Sequence, residues 1–152
     1  SAVENLGKSL FIDGVEGVAE IGCAHCHVPP TFSMPKSFNN GLDLVSRDKG
    51  LGARDVPSND LFTPSNDGKF KAPSLRNISL TAPYMHGGHF ETLPEVVRFY
   101  VNLDEEVEVG HREDMLTPIN LSPERQAELV AFLNALTPPP FPKELTGQPA
   151  AP

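Results

Sequence analysis

The sequence has 152 residues and a formal charge of −8, with 12 Lys and Arg against 20 Asp and Glu. Its length suits one ordinary domain, and no apolar run approaches the roughly 18 residues that a membrane helix needs. The acidic balance argues against nucleic acid or an anionic membrane as a partner and favours a basic or neutral one.

The amino-terminal segment, residues 2–12, is predicted to form a short amphipathic helix. Apolar residues recur at helical spacing from Val3 to Leu10, and Gly14 ends the pattern. Gly7 lies inside this helix, where a glycine indicates close packing against another element.

Residues 28–70 carry no sustained hydrophobic period and are predicted to form a long loop, with room for one brief hairpin. The 16 Pro and 12 Gly of the sequence cannot be absorbed by long helices or regular sheets. A loop of this length is uncommon in a compact domain unless a non-protein group supplies its packing surface. The sequence therefore favours a buried cofactor.

Two further helices are predicted in the second half of the chain. A capping box that begins at Thr92 precedes an apolar run of about ten residues. Ser122 caps a clearer helix, which the prolines after Thr137 stop. Residues 138–152 are predicted to be an extended, proline-rich tail, which leaves 1–137 as the folded domain.

The sequence CAHCH at residues 23–27 is the Cys-x-x-Cys-His pattern of covalent c-type haem attachment. The thiols of Cys23 and Cys26 can both reach the vinyl groups of one porphyrin, and His27 then lies under the iron as the proximal ligand. A zinc site that uses both cysteines and two histidines, or a redox dithiol, stays open as an alternative. Neither a second Cys pair nor a βαβ pattern accompanies the motif. His25 is predicted to face solvent.

Several blocks around this motif resemble the C-terminal haem domain of bacterial di-haem cytochrome c peroxidases and the related MauG proteins. They are GKSLF at 7–11, HVPPTF at 27–32, NNGL at 39–42, KFKAPSLRNI at 69–78, LTAPYMHGG at 80–88 and TLPEVV at 92–97. The blocks occur in the family's order, and the resemblance covers roughly residues 5–137.

The resemblance implies an all-α, class I cytochrome c-like fold, with the first and last helices packed together and long loops wrapped around the haem. In the family this domain carries the electron-transfer haem, and a preceding domain with its own Cys-x-x-Cys-His holds the haem at which peroxide reacts. This sequence has one such motif. It is therefore similar to half of a di-haem peroxidase, and is expected to be either a fragment of such a protein or a stand-alone relative with one haem.

The resemblance also bears on the sixth iron ligand. The family position that holds Met in the peroxidases and Tyr in MauG-like proteins falls on Tyr100, our first choice. Met115 is second, because ordinary mono-haem cytochromes place a Met in the loop before the last helix. His111 is third. Met85 and His86 belong to a family motif and are predicted to pack or hydrogen-bond rather than to ligate.

Two further sites follow from the resemblance or from side-chain chemistry. Arg76 either pairs with a haem propionate through its bidentate fork or anchors a loop through backbone carbonyls, and the sequence leaves both open. The family peroxidases bind calcium between domains, partly through carbonyls that match Thr81 and Pro83. This chain would supply only its own part of such a calcium site.

These expectations lead to one main function and two alternatives. The first is single-electron transfer in a bacterial periplasm, to and from a basic or neutral redox protein through a small, transient interface. The second is a peroxidase or MauG-like oxidoreductase that acts on hydrogen peroxide. The third, a sensor whose weak sixth ligand yields to a small gas, rests on the chemistry of haem alone.

Overall fold

The computed structural model describes residues 1–14, 22–42, 48–54, 65–103 and 112–140. Within these ranges lie three α-helices and two short strands: α1 (Ala2–Asp13), β1 (Ser37–Phe38), β2 (Phe70–Lys71), α2 (Leu93–Val101) and α3 (Pro123–Ala135). Single turns of 3₁₀ helix occur at Cys23–His25, Leu51–Ala53 and Ile78–Leu80. Among the described residues, no helix is both long and apolar enough to cross a membrane.

All three predicted helices are confirmed, and the second and third begin at their predicted caps. Ser1 and Glu4 form a capping box on α1, and Gly14 ends that helix in a left-handed conformation with φ 76°. The hydroxyl of Thr92 accepts a hydrogen bond from the backbone N–H at the third position of α2, and Ser122 does the same for α3. Helix positions were therefore fixed by local chemistry.

The first and last helices pack together, as expected, and Gly7 lies at their point of contact. A Cβ atom added to Gly7 would lie only 1.9 Å from the backbone oxygen of Glu128 on α3. The two backbones therefore approach more closely than any side chain permits. This confirms that Gly7 marks close packing.

Aromatic rings fill the space beside this contact. Phe11, which is 1% exposed, lies with its ring centroid 5.7 Å from that of Phe32 and 5.2 Å from that of Phe132. Edge-to-face and tilted arrangements at these distances add to the burial of apolar area. Phe32 belongs to the long loop, so this cluster joins the loop to the helix pair.

The expectation of an all-α, class I cytochrome c-like fold is wrong. The strands β1 and β2 pair antiparallel, with Ser37 opposite Lys71 and Phe38 opposite Phe70. Helices of both kinds occupy about 39% of the described residues, and together with the sheet they make a mixed α/β structure. Strands of two residues leave no alternating pattern in a sequence, which is why this pairing was missed. The two strands are far apart along the chain, so this pair is not a brief hairpin.

Candidate functional site

A cavity of about 640 Å³ lies between the helices and the loops, within the range of about 300–1000 Å³ that ligand pockets occupy. Its walls are mainly apolar, and none of the described residues that line it is Asp or Glu. Both α2 and α3 contribute aliphatic side chains, namely Leu93, Val96, Val97, Leu129 and Leu133. Such a lining suits a large apolar group.

The two cysteines and the histidine of the 23–27 motif all line this cavity. The 3₁₀ turn Cys23–His25 places them, and the backbone N–H of His27 donates to the carbonyl of Cys23 at 3.0 Å. Both cysteines are free, and burial raises the pKa of each thiol to about 11. In the unligated chain both thiols are therefore held in their protonated form.

The orientation of the His27 ring is fixed by the loop that follows it. Its Nδ1 lies 3.1 Å from the carbonyl oxygen of Phe32 and 3.0 Å from that of Pro73. Because a carbonyl oxygen only accepts, Nδ1 carries the proton and Nε2 keeps its lone pair. Burial lowers the pKa of His27, which keeps the ring neutral. Metal-binding histidines are usually held through the second nitrogen in this way.

Both leading candidates for the sixth ligand line the same cavity. Tyr100 lies in the last turn of α2, and burial raises the pKa of its hydroxyl to about 12, with the neighbouring thiols acting in the same direction. Met115 reaches the cavity from the loop that precedes α3. The structure therefore brings both side chains to one site. His111, the third candidate, lies outside the described residues.

The loop that carries Met115 is fastened to the segment around Asn39. The backbone N–H of Glu113 donates to the carbonyl of Asn39 at 3.0 Å, and the Glu113 carboxylate accepts from the N–H of Asn39 at 3.4 Å. Both residues are buried, with 4% and 3% of their surface exposed. The sequence analysis missed this pair, since NNGL is typical of a turn and gives no sign of a contact so far along the chain.

The chain is similar to known proteins over most of its length. The family model described as di-haem cytochrome c peroxidase matches residues 1–145. A cytochrome-c peroxidase IdrP1 from Denitromonas iodatirespirans is 45% identical over 90% of this chain and 41% of its own length. A methylamine utilization protein MauG from Methylophilus methylotrophus is 33% identical over 75% of this chain and 32% of its own length.

The chain belongs to the family of di-haem cytochrome c peroxidases and MauG proteins. Members of this family are haem oxidoreductases. The solved structure of a MauG-like protein associated with microbial copper homeostasis is 29% identical, with a TM-score of 0.58, and the match covers 90% of this chain and 47% of that one. The chain spans less than half of the length of the peroxidases that it matches, from 26% to 41% for four of them.

The residues that line the cavity suit the haem c of this family. Two thiols and an imidazole with a free Nε2 lone pair lie on its lining, and the remaining lining is largely apolar. Among the described residues, no cluster of three or more His, Cys, Asp and Glu side chains is arranged to hold a metal ion. The zinc alternative therefore has no ligand set in that part of the chain.

Arg76 supports the turn that holds His27. Its Nε and Nη2 donate to the carbonyl of Pro30 at 3.0 and 2.6 Å, and its guanidinium lies 5.0 Å from the centroid of the Phe32 ring. The carbonyl of Phe32 is one of the two that face His27 Nδ1. This geometry matches the loop-anchoring alternative, and contact with a haem propionate stays a prediction.

His86 lies at the edge of the cavity, in contact with two side chains. Its ring stacks on Phe70 with centroids 3.7 Å apart, and its Nε2 lies 2.9 Å from a carboxylate oxygen of Asp48. Both contacts agree with the packing and hydrogen-bonding role predicted for it. His25 and His89 are exposed.

Proposed function

We propose that this chain is an electron-transfer domain that carries one haem c. Cys23 and Cys26 would hold the porphyrin through thioethers, and His27 would be the proximal ligand. The observation that carries the proposal is the fixed orientation of the His27 ring. Its Nδ1 donates a hydrogen bond to backbone carbonyls, which leaves the lone pair of Nε2 free to bind iron. We assign this role to residues 1–137 and regard 138–152 as a tail.

When bound, haem c supplies an iron that accepts or releases one electron. The chain contributes the environment: aliphatic side chains from α2 and α3 exclude water from the cavity. Tyr100 remains our first choice for the sixth ligand and Met115 the second. A phenolate favours the ferric state, whereas a thioether favours the ferrous state, so the choice between them determines the reduction potential.

For the partner, we propose a basic or neutral redox protein in the bacterial periplasm. The formal charge of −8 supports complementary attraction, which accelerates the encounter of transient partners. A second haem domain is the other proposed partner, since the chain spans only 26% to 41% of the length of four related peroxidases. Calcium at the carbonyls of Thr81 and Pro83 would require ligands from such a domain.

A peroxidase or MauG-like activity on hydrogen peroxide is the second candidate function. Membership of the family favours it, as does a tyrosine at the cavity, since MauG-like proteins carry Tyr at the matching position. For this activity the sixth position must open to peroxide. In the electron-transfer function it stays occupied.

The first experiment tests attachment and ligation on the purified coloured protein. We expect the haem to remain with the chain in acid acetone, and Cys23→Ala plus Cys26→Ala to release it. Tyr100→Phe should change the ferric absorption spectrum, and Met115→Leu should leave it unchanged. A colourless protein, or a pigment that acid acetone extracts, would contradict the proposal.

The second experiment separates the two functions. Wild-type protein is mixed with hydrogen peroxide and a reduced electron donor, and donor oxidation is followed. Electron transfer alone predicts reduction by the donor with no catalytic turnover of peroxide. Sustained turnover, lost on denaturation, would favour the enzyme instead.

A further inference from the structure

Asn40 and Gly41 form the one Asn-Gly pair of the sequence. An asparagine that precedes glycine is prone to lose its side-chain amide, because glycine has no side chain to obstruct the approach of its backbone nitrogen to the neighbouring carboxamide. Both residues are partly buried in the structure, and Asn40 lines the cavity. A chemically reactive pair therefore lies in the wall of the candidate site.

The reaction of such a pair is deamidation. The backbone nitrogen of Gly41 loses its proton and attacks Cγ of Asn40, so that a bond forms between these two atoms. The bond from Cγ to Nδ2 breaks, and Nδ2 leaves as ammonia. Water then opens the cyclic succinimide to aspartate or isoaspartate at position 40, without any oxidant or reductant.

The carboxamide of Asn40 is held in a way that favours this attack. Its Oδ1 accepts a hydrogen bond from the backbone N–H of Leu42 at 3.1 Å. A donor at this oxygen stabilises the negative charge that develops on it when a nucleophile adds to Cγ. Any protection of the pair must therefore act on the attacking nitrogen.

The attacking nitrogen is engaged by another residue, Asn39. The backbone N–H of Gly41 donates to Oδ1 of Asn39 at 2.7 Å. Removal of the Gly41 proton requires this hydrogen bond to break, and the buried oxygen of Asn39 then loses that donor. A buried acceptor that loses its donor costs free energy, so the bond opposes the first step of the reaction.

Asn39 is itself held in place by its other contacts. It is 3% exposed, and its Nδ2 donates to the carbonyl of Asp67 at 3.2 Å. Its backbone N–H and C=O are both hydrogen-bonded to Glu113. The acceptor for the Gly41 N–H is therefore fixed by the fold rather than by the local turn alone.

We propose that Asn40 is a deamidation site that the folded chain keeps inactive through Asn39. The inference does not depend on the proposed function, since it requires neither a haem nor any assignment of an iron ligand. None of the described residues that line the cavity is Asp or Glu, so conversion of Asn40 would add a carboxylate to an uncharged part of the wall. Deamidation would thus change the charge of the cavity.

The first test compares native wild-type protein with Asn39→Ala, which removes the acceptor of the Gly41 N–H. Both are incubated at mildly alkaline pH, and aspartate and isoaspartate at position 40 are measured by peptide mass spectrometry. Because no hydrogen bond then opposes loss of the proton, we expect about tenfold faster deamidation in the variant. In denaturing guanidinium chloride both chains should react at one common rate, faster than native wild type.

Thr92→Ala is the control for a general loss of stability. It removes the cap of α2 and leaves the contacts of Asn39 intact, so it should react at the wild-type rate. A folded Asn39→Ala variant that reacts at the wild-type rate would overturn the inference. Equal acceleration by Thr92→Ala would also overturn it, because general destabilisation would then explain the effect.

Hydrogen exchange on wild-type protein gives a second test, which decides the matter even if Asn39→Ala does not fold. Exchange of the Gly41 amide and deamidation both begin with removal of the same proton. We therefore expect this amide to exchange much more slowly in the native protein than in the denatured chain. Exchange at the denatured rate would show that Asn39 does not protect Gly41, and the inference would fail.

Discussion

The helix pair and the loop wall of the cavity are stabilised by different means. α1 and α3 meet backbone to backbone at Gly7, and buried rings close the space beside them. The wall formed by residues 28–42 is also tied to distant segments by polar bonds, such as the two that Arg76 donates to the carbonyl of Pro30. Changes in the helix pair should therefore alter stability, whereas changes in the wall should alter the cofactor environment.

The largest effect on stability is expected from Gly7→Ala. Alanine normally stabilises a helix by about 1 kcal/mol relative to glycine. Here its Cβ would meet the backbone of Glu128, so the helices must separate, and we expect a net loss of about 3 kcal/mol. Denaturant unfolding measures this, with Lys8→Ala on the exposed face as the control. Equal stability of the Gly7 variant and wild type would show that the close contact does not form.

The next largest effects on stability are expected from a matched pair of substitutions, Thr92→Ala and Ser122→Ala. Each removes the hydroxyl that caps a helix, and each should cost about 1 kcal/mol. Only Thr92→Ala loosens the helix that carries Tyr100, so only this variant should broaden the ferric spectrum on warming. Identical spectra for the two variants would contradict a ligand on α2.

Arg76→Lys probes the loop wall directly. Lysine retains the charge but loses the paired donation to the carbonyl of Pro30. Since Arg76 is exposed, the loss of stability should stay below about 1 kcal/mol. The ferric spectrum should nevertheless change, because the turn of Phe32 also holds His27. A change in the free energy of unfolding without a change in the ferric spectrum would show that Arg76 does not influence the haem site.

The smallest effect is expected from Asp48, an exposed residue that contacts His86 at the edge of the cavity. Hydrogen bonds from the N–H of Gly50 and from His86 lower the pKa of this carboxyl. Its contribution to stability is therefore present above its ordinary pKa and is lost as the pH falls through the lowered value. Asp48→Asn should slightly flatten the acid side of a plot of melting temperature against pH. A steeper acid side in the variant would contradict this sign.

The sequence predicted the elements whose causes are local. The cap at Thr92 and the stop at Gly14 each act within a few residues, and the helices begin or end there. The Cys-x-x-Cys-His motif is equally local, and in the structure its three site residues line one cavity. The pairing of β1 with β2 was missed because two-residue strands carry no pattern, which made the all-α expectation wrong.

The remaining parts of the site depend on contacts between distant positions. The hydrogen bonds between Asn39 and Glu113 join a turn to the loop that precedes α3, and neither residue alone indicates the other. The same holds for Arg76 and Pro30, because the sequence does not indicate Pro30 as the partner of Arg76. Local rules predict which residues belong to turns, but only the fold shows which turns meet.

The cavity has a consequence for how the chain matures. An opening of about 640 Å³ is far larger than the gaps that protein cores tolerate, since each lost contact costs stability. Without the porphyrin, the core of the chain would thus be less well packed than the cores of other domains of this size. Under the proposed function, binding of the porphyrin would complete the core of the domain, and attachment through thioethers would make that step irreversible.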